Sequence, residues 1–270
     1  MPFIEINNLK VYYEVHGKGD PLFFFHHGFG STAMWKKIFP KFIMFGYTVI
    51  LYDKRGFGKS EAGSEFKKFY EDDGYRDACV RELRTLKEAL GIGKCHMLGQ
   101  CEGGVIVCDY AAEYPDEVIT LCAASTQCFS DKTMADFNRK KFTNNFADLE
   151  PVIKAKMIEF QGDNAEERYN QFAMYGGAYG IDYFDLRPVL KCVQCPALVL
   201  YPDRSALFDV EQAVAFYRAL PKGELCILPR CGHNTYEQLP DDYIRTVQNF
   251  LFRHTKGKGE NIRTDNTCLA

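Results

Sequence analysis

The stretch that decides the reading is Cys95-His96-Met97-Leu98-Gly99-Gln100-Cys101-Glu102-Gly103-Gly104-Val105-Ile106. An apolar run ends at Gly99, and from Glu102 to Glu113 the pattern is helical until Pro115 stops it. A strand that gives way to a helix this abruptly needs a strained residue at the apex, with neighbours that lack side chains so the two elements can close up. Cys101 holds that apex, and Gly99, Gly103 and Gly104 flank it. The spacing is that of the G-x-S-x-G nucleophile elbow, with a thiol in place of the hydroxyl. A thiol at a helix N-terminus also faces the positive end of the macrodipole, which favours thiolate and predicts raised reactivity. Cys101 is therefore the candidate nucleophile.

Outward from this turn, short apolar runs alternate with helical patterns. Strands are predicted over 3–6, 11–15, 22–25, 49–52, 95–99 and 118–124, with a helix from about 73 to 90. A second block begins with a strand at 197–201 and a helix near 210–220. A strand at 225–228 and a helix over 241–252 complete it. Such alternation builds a parallel sheet. Between the blocks, Thr126 to about Gln194 carries helical patterns rich in Phe and Tyr and reads as an inserted cap. The expected division is a core from 1–125 and 195–254, a helical cap from 126–194, and a polar, aperiodic tail over 255–270 that predicts disorder.

Late in the chain, Cys231-Gly232-His233-Asn234 lies between the last strand and the last helix, on the sheet edge where the Cys101 turn opens. His233 is the candidate base that takes the thiol proton. Early in the chain, His26-His27-Gly28-Phe29-Gly30 follows the strand at 22–25. Its place suggests that Phe29 N–H and Glu102 N–H, the latter at the helix start, form the oxyanion hole.

Composition narrows the partners. A net charge of −3 with no basic cluster offers nucleic acid or anionic lipid no field, so neither is expected as a partner. No apolar run approaches the ~20 residues that span a bilayer, and the N-terminus lacks a signal pattern, so a soluble cytoplasmic protein is expected. The eleven cysteines sit mostly in apolar runs and read as reduced core residues. No Cys/His cluster has ligand spacing and no phosphate-cradling loop precedes a helix, so neither a metal nor another cofactor is expected.

Together the His27-Gly28 turn, Asp53-Lys54-Arg55-Gly56-Phe57-Gly58-Lys59-Ser60, the Cys101 elbow, Cys195-Pro196-Ala197-Leu198-Val199-Leu200 and Gly232-His233 resemble the α/β-hydrolase superfamily. The resemblance covers nearly everything before the tail. It implies an α/β-hydrolase fold, a mostly parallel eight-stranded sheet with helices on both faces and a helical cap. The elbow and the 195–200 segment resemble the valacyclovir-hydrolase or biphenyl-hydrolase-like branch, and the elbow cysteine resembles that of dienelactone hydrolases. The Asp53–Ser60 motif is expected to be a structural turn braced by an Asp/Arg pair.

The chain departs from the family twice. The first departure is Cys for Ser at residue 101. The second is Pro202-Asp203-Arg204-Ser205-Ala206, where the family commonly reads Gly-Asp-x-Asp-Pro with the later Asp orienting the histidine. Ser205 stands in that place, and Ser205, Asp203 or Asp209 remain open as the third member. A thiol, with pKa ~8.5, loses its proton more easily than a hydroxyl, so a Cys-His dyad tolerates the missing acid. Thiolate is also the better leaving group, so alkyl esters should be poor substrates and enol lactones, aryl esters and thioesters good ones. The aromatic cap suggests an apolar or aromatic acyl substrate. Three readings follow: a hydrolase acting through an acyl-cysteine, an acyltransferase or cyclising biosynthetic enzyme with the same nucleophile, and a non-catalytic ligand-binding homologue.

Overall fold

Asn7 and Asn8, at φ 52° and 62°, turn the chain between its first two strands. Asn tolerates the left-handed region, and two such residues in succession match the twist of a tight hairpin. The computed structural model describes residues 2–175 and 183–255. Its strands are β1 (Phe3–Ile6), β2 (Leu9–Gly17), β3 (Asp20–Phe25), β4 (Tyr47–Tyr52), β5 (Cys95–Gln100), β6 (Val118–Ala124), β7 (Ala197–Pro202) and β8 (Gly223–Leu228). They form an eight-stranded sheet in the order β1-β2-β4-β3-β5-β6-β7-β8. Pairing is antiparallel between β1 and β2 and between β2 and β4, and parallel from β4 to β8.

The inner parallel strands β3 to β7 are mostly buried on both faces, which is why they read as apolar runs. Their period of two still sorts the side chains. Phe23, Phe25, Ile50, Met97 and Val199 face one core with Cys79, Leu83 and Leu86 of the helix Tyr75–Ala89, Val107 of the helix Glu102–Glu113 and Phe216 of the helix Val210–Ala219. Leu22, Phe24, Leu51, Leu98 and Leu200 face the other, against Trp35, Phe42 and Tyr243, Val247 and Phe250 of the helix Pro240–His254. One continuous strand thus holds helices on both sides of the sheet.

Between β6 and β7 lie the helices Met134–Lys141, Pro151–Gln161, Ala165–Tyr175 and Arg187–Leu190. Phe146, Met157, Ala165 and Tyr169 form a small core of their own there. The expected tail lies outside the described residues from residue 256 onward. Among the described residues no helix is long and apolar enough to cross a membrane.

The Asp53–Ser60 turn is structural, but its brace differs from the expected Asp/Arg pair. The Asp53 carboxylate accepts the N–H groups of Thr32 at 2.5 Å and Lys59 at 2.9 Å. Arg55 instead donates to Ala62 O at 2.9 Å and stacks over Phe69. Backbone N–H groups satisfy a buried carboxylate without the cost of desolvating a guanidinium.

Because β3, β5, β6, β7 and β8 run parallel, the loops at their carboxyl ends open on one edge of the sheet. Those loops carry His27, Cys101, Ser125, Ser205 and His233.

Candidate active site

Cys101 sits at φ 53° and ψ −115°, between β5 and the helix Glu102–Glu113. Its N–H donates to Ala124 O on the adjacent strand at 2.8 Å, and its carbonyl accepts Gly104 N–H at 2.9 Å. The glycines are required by distance. A Cβ on Gly103 would stand 2.5 Å from Phe25 O, and one on Gly99 2.3 Å from Gly103 O. Both are backbone contacts that cannot yield.

The thiol is partly exposed, and its acidity differs from the sequence expectation. Burial pushes its pKa up to about 12, the neighbouring Glu102 carboxylate adds to the rise, and the Glu102 N–H acts against it. Desolvation of the thiolate therefore outweighs the helix terminus, and the resting group is a neutral thiol. The Glu102 side chain is buried and ion-paired to the equally buried Lys54, and it accepts Tyr75 OH at 2.9 Å. A buried charge needs such partners to be held at all.

His233 is drawn to the elbow by Gln100, whose Nε2 donates to His233 O at 3.0 Å. Its ring lies edge-on to Phe208, with centroids 5.5 Å apart. Its Nδ1 lies 3.2 Å from Ser205 Oγ. Burial lowers its pKa to about 4, so the ring is neutral at neutral pH. The two other candidates for a third member lie differently. Asp203 Oδ1 accepts Cys231 N–H at 3.0 Å, and its Oδ2 faces Arg204 at 3.5 Å. Asp209 precedes the helix Val210–Ala219 without capping it through its side chain. Among the described residues, neither carboxylate hydrogen-bonds His233.

At the loop after β3, Phe29 N–H donates to His27 Nδ1 at 3.1 Å. His27 Nε2 in turn meets Tyr236 OH at 3.3 Å. Burial, and the nearness of His233, lower the His27 pKa to about 3. Phe29 N–H would thus have to leave His27 before it could serve an oxyanion.

The helices Pro151–Gln161 and Ala165–Tyr175 pack over this loop. Gln161 Nε2 donates to Phe29 O at 2.9 Å and Gly30 O at 2.8 Å, while its Oε1 accepts Gly58 N–H at 2.9 Å. Arg168 Nε donates to Gly56 O at 2.6 Å. Phe172 packs on Phe29 with ring centroids 3.9 Å apart, in space that a Cβ on Gly28 would fill. Among the described residues no group of three or more His, Cys, Asp or Glu side chains could hold a metal ion.

Residues 20–150 match a model described as the alpha/beta hydrolase fold. A proline iminopeptidase of Lactobacillus acidophilus is 30% identical across 93% of this chain and 96% of its own. The chain belongs to the α/β-hydrolase family. A 2-hydroxy-6-oxo-6-phenylhexa-2,4-dienoate hydrolase of Burkholderia cepacia is 23% identical over 91% of this chain and 92% of its own. Among solved structures, an enol-lactonase from Burkholderia xenovorans superimposes with a TM-score of 0.76 at 19% identity, over 93% of this chain and 99% of that one.

Two side-chain pairings around this site were not read from the sequence. His27 and Tyr236 meet across 209 positions of sequence, and Lys54 and Glu102 across 48. A lysine among the apolar neighbours of Asp53 was the one available signal, since a buried lysine demands a carboxylate.

Proposed function

We propose that this α/β-hydrolase cleaves activated acyl bonds, in an enol lactone, aryl ester or thioester, through an acyl-cysteine on Cys101. The observation that carries the proposal is the elbow itself: a thiol at φ 53° on the apex, with Glu102 N–H beside it and the His233 loop tied to Gln100. In acylation His233 takes the thiol proton as sulfur bonds to the acyl carbon. The leaving group departs with the proton that His233 returns, and water then releases the acid. Thiolate leaves more readily than alkoxide, so alkyl esters should turn over slowly. Of the similar proteins, the enol-lactonase is named for one of these bond types. Phe29, Phe172 and Phe208 supply aromatic surface beside the site for an apolar acyl group. The cysteines among the described residues are free thiols, which fits our placement of the enzyme in the cytoplasm.

The test mixes the protein with a panel of aryl esters and acyl thioesters, quenches early and maps acyl groups by peptide-resolved mass spectrometry. An adduct on Cys101 that is lost in Cys101→Ala and reduced in His233→Ala is the expected result. An adduct that decays in water identifies a hydrolase, and one that persists until an amine or thiol is added identifies an acyltransferase. A second reading, a binding protein, draws on the neutral thiol and the captured Phe29 N–H. It requires ligand binding without any adduct and without loss in Cys101→Ala.

A further inference from the structure

Ser205 Oγ has three neighbours: the N–H groups of Leu207 and Phe208, each at 3.2 Å, and His233 Nδ1, also at 3.2 Å. A hydroxyl has two lone pairs and one proton. Backbone N–H groups can only donate, so the two of them fill both lone pairs. The proton is all that Ser205 has left to offer the imidazole, and Nδ1 must then be the acceptor. A neutral imidazole carries a single N–H, which leaves it on Nε2.

From this count we infer that Ser205 is a positioning residue that holds His233 as the Nε2–H tautomer, so the free nitrogen of the resting ring is a proton donor instead of a base. A carboxylate at this place would do the reverse. It can only accept, so it would hold Nδ1–H and leave Nε2 free to take a proton. The surroundings agree with a neutral ring. Phe208 and His27 lie around it, His27 is itself kept neutral by burial, and Asp203 is committed to Cys231 N–H. The Ser205 contact with two successive backbone N–H groups is a local turn of the kind serine forms readily. The lock is therefore built into the loop after β7 and does not depend on the cap.

The consequence rests on Cys101 being the nucleophile. To accept the thiol proton, His233 must first release the Nε2 proton to solvent and take one at Nδ1, with no net change in charge. Nδ1–H then needs a lone pair on Ser205 Oγ, so one backbone N–H loses its partner and the hydroxyl proton turns elsewhere. Until that happens, Nε2–H suits a ligand that offers a carbonyl or carboxylate oxygen. In a serine triad, holding histidine in the wrong tautomer costs on the order of 10⁴ in rate. A thiol, needing less help from a base, should lose less.

Two measurements test the lock. The first is long-range ¹H–¹⁵N NMR of the full chain with labelled histidine rings, the His233 signals being assigned by their loss in His233→Gln. Nε2 protonated and Nδ1 unprotonated in the wild type, with the pattern reversed in Ser205→Asp, is the expected result. Nδ1 protonated in the wild type overturns the inference. This readout concerns the imidazole alone and holds whether or not Cys101 forms an adduct.

The second is the rate of iodoacetamide alkylation at Cys101 near pH 7, read by peptide mass spectrometry. Ser205→Asp should react at least about tenfold faster, with the gain lost in Ser205→Asp/His233→Gln. Ser205→Ala, which removes the lock without adding a charge, should also react faster than wild type. A slower Ser205→Ala would show that the serine merely steadies a working base, and would sink the inference.

Discussion

Two loops on the same edge of the sheet have changed in opposite ways. At the elbow after β5 the reactive atom is sulfur, yet the backbone keeps the strained turn, because Gly99 and Gly103 lie against main-chain atoms that cannot move. In the loop after β7 the place of the orienting acid is held by Ser205, which is tied to two backbone N–H groups and to His233. The elbow is fixed by sterics, which tolerate a change of side chain at the apex and none at the flanking glycines. The other loop is governed by hydrogen-bond chemistry, where one residue decides which ring nitrogen carries the proton. A site can therefore keep its shape while its proton traffic is altered.

The sharpest way to break this comparison is to restore the hydroxyl nucleophile. Cys101→Ser should lower acyl-enzyme formation by on the order of 10³, since an alkoxide needs a base that the serine-held His233 does not supply. Adding Ser205→Asp should recover at least about tenfold of that loss in a stopped-flow burst assay. Recovery would show that the two departures belong together, and its absence would show that they are independent.

A steric test of the elbow comes next in size. Gly103→Ala places a methyl group against Phe25 O and His26 O, and should destabilise the fold by about 3 kcal/mol in urea unfolding. Wild-type stability in this variant would mean that the turn is looser than its distances imply.

The electrostatics of the second loop can be read from pH. Burial lowers the His233 pKa from its ordinary 6.5 to about 4. The unfolded chain therefore binds a proton first as pH falls. The stability from keeping this ring neutral is fully present above pH 6.5 and is lost as pH drops toward 4. His233 should account for about 3 kcal/mol of that fall, and His233→Gln should flatten the curve of unfolding free energy against pH by that amount. An unchanged slope would mean that the ring is solvated.

The smallest expected effect belongs to Asp203→Asn. Because its carboxylate serves Cys231 N–H and not the imidazole, acylation of Cys101 should keep its wild-type rate. A large loss would return Asp203 to the role that Ser205 holds.

The elbow was legible because its meaning is local. A strand, a thiol between glycines and a helix start follow one another within ten residues, and each follows from side-chain size and periodicity. The strands β3 to β7 were legible for the same reason, as apolar runs bounded by turn residues. The thiol's acidity was not, since the helix-end effect is visible in sequence and the larger cost of burial is not. Nor was the Asp53 turn, where the expected Arg55 partner gave way to Thr32 N–H and Lys59 N–H. Backbone donors carry no sequence signature.

The sequence by itself determined an alternating strand and helix core, a cysteine at a strained apex, a histidine on the last loop and a loop after β7 without its usual acid. Those are properties of order, size and local pattern. Only the tertiary structure decided that Gln100 ties down the His233 loop, that His27 takes Phe29 N–H, that Lys54 meets Glu102 and that Ser205 rather than Asp203 reaches the imidazole. Each is a hydrogen bond or ion pair whose direction depends on distances of a few ångströms between separate loops, and periodicity in a single chain does not encode those distances.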